Sequence, residues 1–92
     1  MNDSVPVGNR LRLLRRAHND MTQAQLAEIV GVTRQTIVAL ETGRYAPSLE
    51  LAMKLAMTLG QSVDDIFYWK DTATASAYRD LGRHAGKGED KP

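Results

Sequence analysis

The chain has 92 residues, a mass of 10.2 kDa, no cysteine, and an ordinary balance of 42% apolar and 25% charged residues. This size predicts one small domain, and the lack of cysteine excludes disulfides and cysteine-ligated zinc. No apolar run approaches the ~20 residues of a membrane span, and residues 1–8 lack the charged and apolar regions of a signal peptide. We therefore expect a cytoplasmic protein without a membrane partner.

Positive charge is concentrated in the N-terminal half, although the net charge is only +1. Residues 1–47 carry six arginines against four acidic groups, whereas residues 48–92 carry six basic and seven acidic groups. Arginine binds phosphates and base edges better than lysine does, so the distribution weakly indicates a nucleic-acid partner. The overall charge is below that of a strongly basic DNA-binding protein.

The chain is predicted to begin with two short helices. The spacing of apolar residues places them at residues 7–18 and 22–30, separated by an Asn-Asp turn. Thr22 is suited to cap the start of the second helix, and Gly31 can adopt the left-handed conformation that ends it.

Three further helices are predicted at residues 34–42, 49–59 and 63–67, each preceded by a Thr or Ser suited to capping. The fourth helix is apolar around most of its circumference, so we expect it to be buried on several sides. Beyond residue 70 the composition changes to small residues and mixed charges. Residues 73–82 can form a short helix, either alone or only on binding a partner, and residues 86–92 are expected to be disordered.

Residues 22–42 contain the most distinctive pattern, two short helices joined by a tight glycine turn. Small Ala27 lets the two helices approach closely, and Gly31 forms the turn. Ile37 and Leu40 anchor the second helix from one side. This is the geometry of a helix-turn-helix, whose second helix enters the major groove of DNA.

Residues 9–69 resemble the Cro/phage-repressor (XRE-type) helix-turn-helix family, especially its short, stand-alone transcriptional regulators. The segments that carry the resemblance include Met21-Thr22-Gln23, Leu26-Ala27-Glu28, Gly31-Val32-Thr33-Arg34-Gln35-Thr36-Ile37, Ala39-Leu40-Glu41-Thr42-Gly43-Arg44-Tyr45 and Pro47-Ser48-Leu49. The resemblance implies an all-α fold, a five-helix repressor-like DNA-binding domain over residues 1–70. A flexible, partly disordered C-terminal tail over residues 71–92 completes the expected organisation.

The outward face of the third helix is expected to read DNA bases. At about 100° per residue, Gln35, Val38, Ala39 and Thr42 lie opposite the apolar anchors. Arg34 flanks them in the first turn, where the family places base-reading residues. Arginine suits guanine and glutamine suits adenine, while Val38 and Ala39 suit a thymine methyl group. The alternative role for Arg34 is an intrahelical ion pair with Glu41, seven residues later.

Other residues are expected to contact the DNA backbone or to flank the base contacts. Gln23 matches the phosphate-binding glutamine of the family, at the positive end of the second helix. Thr36 and Thr42 flank the reading face, and Arg44 and Tyr45 lie in the following loop. Arg10 and Arg12 of the first helix are expected to form a solvated face.

The resemblance also implies an ion pair between an arginine of the first helix and Glu41. The chain is one residue longer than the family pattern between the first and second helices, so Arg15 and Arg16 are both candidates. We favour Arg15.

A homodimer is expected through the fifth helix and its neighbourhood. The fourth helix has more apolar surface than one small bundle covers, and Phe-Tyr-Trp at a domain edge is typical of interfaces. The predicted interface residues are Ile66, Phe67, Tyr68 and Trp69.

These features predict a sequence-specific DNA-binding regulator, a dimeric repressor that reads a palindromic operator in double-stranded DNA. Two alternatives stay open: an antitoxin whose tail folds onto a toxin, and a helix-turn-helix module that bridges proteins without binding DNA. His18 and His84 lie far apart, and no grouping has the spacing of a catalytic or metal site. We expect no enzyme activity, no metal and no cofactor.

Overall fold

A computed structural model describes residues 5–85, which form six helices and a two-stranded sheet. The helices are α1 (Leu11–Ala17), α2 (Gln23–Val30), α3 (Arg34–Glu41), α4 (Leu49–Leu59), α5 (Val63–Ile66) and α6 (Thr72–Ala85). The strands are β1 (Val7–Asn9) and β2 (Phe67–Trp69). The predicted helical character is confirmed, and the five predicted helices correspond to α1–α5. The prediction of an all-α fold without a sheet is wrong.

The sheet joins the two ends of the domain. Strands β1 and β2 pair antiparallel, with Gly8 opposite Tyr68. A Cβ atom on Gly8 would lie 2.7 Å from Cε1 of Tyr68, so any other residue at this position would displace the tyrosine ring. The pairing brings together segments that are about 60 residues apart in the sequence.

This pairing changes two predicted helix boundaries. Residues 7–9, predicted as helical, are extended, and α1 begins at Leu11, whose backbone N–H donates to Asn9 Oδ1 at 2.9 Å. Helix α5 ends at Ile66 because Phe67 turns into β2.

The helix ends otherwise follow the predicted capping. Four helices begin after a hydroxyl residue whose side chain accepts the backbone N–H three residues later, at Thr22, Thr33, Ser48 and Ser62. Gly31 and Gly60 follow α2 and α4 in the left-handed conformation, with φ of 80° and 66°. Because local capping accounts for these ends, the sequence located them well.

The core lies between the two helices of the motif, α2 and α3, and the helices α1, α4 and α5 that pack against them. Its largest completely buried side chains are Leu11, Leu26, Ile37, Leu40, Leu55 and Ile66. The expectation that Ile66 forms a dimer interface is therefore wrong, since this side chain points into the core of its own domain. Helix α4 is buried on one side only, and Leu49, Met53 and Met57 remain exposed along the other.

Residues Thr72–Ala85 form a helix in the isolated chain, where the sequence predicts a flexible tail in which residues 73–82 can form a short helix. No residue of α6 is buried, and its packing against the domain centres on the stacked rings of Trp69 and Tyr78, 6.3 Å apart. The disorder expected at residues 86–92 falls outside the described residues. Within residues 5–85, the helices fall short of the length and apolar content needed to span a membrane.

Candidate nucleic-acid interface

Three residues, Gly31, Val32 and Thr33, join α2 to α3. The backbone N–H groups of Gly31 and Val32 both donate to the carbonyl of Ala27, at 2.9 and 3.0 Å. The hydroxyl of Thr33 then accepts the N–H of Thr36 at 3.2 Å and begins α3. The turn is thus fixed by hydrogen bonds on both sides, which sets the angle between the two helices.

Helix α3 is held by its inner face and presents its outer face to solvent. Ile37 and Leu40 are completely buried. Arg34 and Gln35 are exposed in the first turn, whereas the shorter Val38 and Ala39, predicted as base contacts, are half-buried. This face combines two long polar side chains with a shallow apolar surface, which matches the donors, acceptors and thymine methyl groups of a major groove.

A buried ion pair fixes the other end of α3. Arg15 Nε lies 2.7 Å from Glu41 Oε2, and Arg15 Nη2 donates to Glu41 Oε1 at 3.2 Å. The two side chains are only 8% and 3% exposed. Arg16 instead lies 4.0 Å from Asp20 at the surface. Of the two candidates, Arg15 is the partner of Glu41.

The ion pair extends to the start of α2. Arg15 Nη1 donates to the carbonyl of Met21, and Gln23 Nε2 donates to Glu41 Oε1, at 2.6 and 3.0 Å. The hydrogen bond between Gln23 and Glu41 could not be predicted from sequence patterns, because these residues are 18 positions apart in the chain. Glu41 is thereby occupied on both oxygens, which leaves the alternative pairing with Arg34 unsupported.

A groove of about 470 Å³ opens between the end of α1, the start of α2 and the end of α3. Its lining is Arg12, Arg15, Arg16, Asp20, Met21, Thr22, Gln23, Glu41 and Thr42. Arg12 and Arg16 are exposed, so they place positive charge beside the predicted phosphate contact at Gln23. Arg12 is exposed, as expected for a solvated face, but helical spacing alone could not show that this face adjoins α2.

The predicted flanking residues differ in how far the fold itself uses them. Thr36 Oγ1 lies 3.1 Å from Oγ1 of Thr33, the residue that caps the start of α3. Thr42 Oγ1 donates to the carbonyl of Ala39 at 3.1 Å. Arg44 and Tyr45 are exposed in the loop after α3. These two are therefore available to a partner, while the threonines also serve the ends of the helix.

The base of this loop is tied to both termini of the domain. The carbonyl of Gly43 accepts the backbone N–H of Val5 at 3.2 Å and the ammonium of Lys70 at 3.3 Å. The loop that carries Arg44 thus starts from a fixed point beside the sheet.

The edge formed by α5 and β2 involves Arg10. Its guanidinium lies 4.6 Å from the ring centroid of Tyr68, and Nη1 donates to the carbonyl of Asp65 at 3.4 Å. Phe67 is half-buried, whereas Tyr68 and Trp69 are 41% and 43% exposed. Arg10 therefore packs against the sheet, and the two exposed aromatic residues keep surface available beside it.

Known proteins are similar in sequence to the part of this chain that contains the helix-turn-helix. The helix-turn-helix family profile matches residues 11–66. An uncharacterised HTH-type transcriptional regulator of Methanocaldococcus jannaschii is 49% identical over 63 residues, which cover 68% of this chain and 94% of the relative. Another from Methanothermobacter thermautotrophicus is 56% identical over 61 residues, covering 62% and 88%. A third, from Bacillus subtilis, is 41% identical over 63 residues, covering 68% and 94%.

Solved structures agree in fold. The clp gene regulator ClgR of Corynebacterium glutamicum has a TM-score of 0.56 at 32% identity and covers 79% of both chains. A candidate DNA-binding protein of Bacteroides fragilis has a TM-score of 0.62 at 24% identity, over 67% of this chain and 98% of its own, and shows the fold alone. With a family match over more than half of its length, the chain belongs to the Cro/phage-repressor (XRE-type) helix-turn-helix family.

Proposed function

We propose that this protein is a sequence-specific transcriptional regulator, a dimeric repressor that reads a palindromic operator through the major groove. The observation that carries the proposal is the outer face of α3, where exposed Arg34 and Gln35 project from a helix anchored by two completely buried residues. The names of its relatives, HTH-type transcriptional regulators, support the same function.

The residues proposed to contact DNA bases lie at the start and in the middle of α3. Arg34 is suited to donate two hydrogen bonds to O6 and N7 of guanine, and Gln35 to pair with N6 and N7 of adenine. Val38 and Ala39 form a low apolar surface against which thymine methyl groups can pack. Each good contact contributes roughly 1–3 kcal/mol of discrimination against the wrong base.

Contacts to the DNA backbone hold α3 in register. Gln23, at the start of α2, lines the groove that Arg12 and Arg16 border, and its amide has a second N–H besides the one donated to Glu41. Arg44 and Tyr45 supply a second contact point beyond the other end of α3. Contacts on both sides of the reading helix fix its orientation without carrying sequence information themselves.

Two copies are needed to read a palindrome. A two-fold dimer places its recognition helices in successive major grooves, about 34 Å apart along the duplex. A dimer bound to its operator covers a promoter element and blocks access to it, which is the simplest route to repression. Because Ile66 is buried in the core, the proposed interface consists of Phe67, Tyr68 and Trp69.

Salt dependence tests direct DNA binding. We expect the affinity for duplex DNA, measured by fluorescence anisotropy, to fall steeply and log-linearly with salt concentration, because each neutralised phosphate contributes about −0.9 to the slope. The absence of binding at low salt would overturn the proposal. A salt-insensitive complex with a protein would then favour the bridging or antitoxin alternatives, with residues 71–92 as the expected contact.

A further inference from the structure

Within residues 5–85, helix α6 leaves most of its apolar surface exposed. It is 14 residues long, and none of its residues is buried. Tyr78 and Leu81 are 65% and 64% exposed. An isolated helix shorter than about 12–15 residues is marginal in water even with good helix formers, and α6 contains Gly82 and several β-branched or hydroxyl residues. The helix therefore gains stability from any partner that covers its apolar face.

The apolar face has a spacing that suits a second copy of itself. Thr74, Tyr78, Leu81 and Ala85 follow one another at steps of four, three and four residues, which keeps them within about 60° on the helix surface. This order of steps is the same in both directions. A second α6 that runs antiparallel therefore places its Leu81 opposite Tyr78 and its Ala85 opposite Thr74.

The domain offers a platform at the matching position. Trp69 stacks on Tyr78 with an angle of 22° between the rings, and Thr74 is half-buried beside the domain. Leu81 and Ala85 lie further along the helix and are exposed. In the antiparallel pair, Leu81 of one copy packs on the Trp69–Tyr78 platform of the other, and the second contact repeats the first by symmetry.

The helix dipoles favour the same direction. Asp71 precedes α6, and its Oδ1 accepts the N–H of Ala73 at 3.0 Å at the positive end of the helix. An antiparallel pair places the positive end of one helix beside the negative end of the other. Arg83 pairs with Asp80 at 3.0 Å on the side of α6 away from this contact.

We propose that α6 is a dimerisation helix that pairs antiparallel with α6 of a second copy. The proposal rests on the dimer of the proposed function and assigns it a surface centred on Trp69, Tyr78 and Leu81. This contact is smaller than the about 800 Å² per partner of a standard interface, so we expect a dissociation constant on the order of micromolar.

Sedimentation of the full chain without DNA tests the surface. Leu81→Lys should raise the dissociation constant at least about tenfold, since it places a charge in the apolar contact. Ala73→Lys adds the same charge at an exposed position of α6, outside both the contact face and the groove between α6 and β2, and should leave the constant unchanged. Met57→Lys alters the exposed side of α4 instead. Loss of the dimer in Met57→Lys but not in Leu81→Lys would overturn the proposal.

Cross-linking tests the direction, and the chain has no cysteine to interfere. Mixing Tyr78→Cys with Leu81→Cys should give mainly the mixed disulfide, because the symmetric Leu81–Tyr78 contact remains intact in that pair. A parallel pair would instead give disulfides within each variant, which would contradict the proposal. Both measurements are made without DNA, so failure of the α6 contact is distinguished from failure of DNA binding by anisotropy of the same samples.

Discussion

Arg15 and Glu41 are 26 residues apart in the sequence, yet their charged groups meet at 2.7 Å in a site almost closed to solvent. Through this pair, α1 holds the last residue of α3. Gln23, the first residue of α2, donates a further hydrogen bond to the same carboxylate. The positions of α2 and α3 relative to each other are therefore set at the turn and again at the ion pair. A helix held at both ends presents its outer side chains in one orientation, as base recognition requires.

Removal of one member of this pair should be costly. Glu41→Ala leaves the Arg15 guanidinium buried without its carboxylate, and we expect a loss of about 3–5 kcal/mol in the free energy of unfolding. Urea unfolding followed by circular dichroism measures it. As a control, Asp20→Asn removes the exposed partner of Arg16 and should change stability by no more than about 1 kcal/mol. Equal effects of the two substitutions would contradict the structural role of the buried pair.

The turn between α2 and α3 depends on the backbone of Gly31. Its φ is +80°, and an added Cβ would meet no atom within 4 Å, so alanine is penalised by conformation rather than by contact. We expect Gly31→Ala to destabilise the domain by about 1–2 kcal/mol, measured by urea unfolding. Gly82→Ala lies within a helix, meets no atom within 4 Å, and should cause no loss. A neutral Gly31→Ala would show that the turn tolerates another geometry.

Stability at acidic pH should depend on Asp65. The backbone N–H of Ser62, then its hydroxyl and the charge of Arg10, hold the pKa of Asp65 below its ordinary value of 3.8. A lowered pKa in the folded state means stabilisation above the unfolded pKa that is lost as pH falls through the folded pKa. The melting temperature of wild type should exceed that of Asp65→Asn at neutral pH, with the difference shrinking below pH 3.8. A difference independent of pH would contradict this role.

Arg44 should contribute to affinity without contributing to sequence preference. If it neutralises one phosphate, Arg44→Ala should weaken binding to all duplexes alike and reduce the magnitude of the log-log salt slope by about 1. Lys54→Ala is the control, because this lysine pairs with Glu50 on α4 at 3.0 Å. A change in the preferred sequence, rather than in the slope, would reassign Arg44 to base reading.

Local chemistry explains which parts of the fold could be predicted. Capping by Thr22 and Ser48 and the left-handed Gly31 depend on a few neighbouring residues, so their pattern is visible in the sequence. The pairing of β1 with β2 involves two segments of three residues each, too short to show the alternation of a strand. Asn9, whose side chain accepts the N–H of Leu11, is a local feature from which the late start of α1 could have been predicted.

The same distinction applies to the candidate site. Helical periodicity identified the exposed start of α3 from the positions of Ile37 and Leu40. It could not identify the bond from Gln23 to Glu41 or the groove beside Arg12, because both depend on how three helices pack. Long-range packing likewise determined that Ile66 is buried, although its neighbours at the sheet edge are exposed.

Selection of bound sequences from random duplex DNA, with wild type and Arg34→Ala compared at the same low salt concentration, is the most direct test of specific reading by α3. We predict a palindromic motif for wild type, with the preference at one base pair in each half-site relaxed in the variant because about 1–3 kcal/mol of discrimination is lost. Recovery of no motif from wild type, or of the same motif from both proteins, would contradict base reading by Arg34.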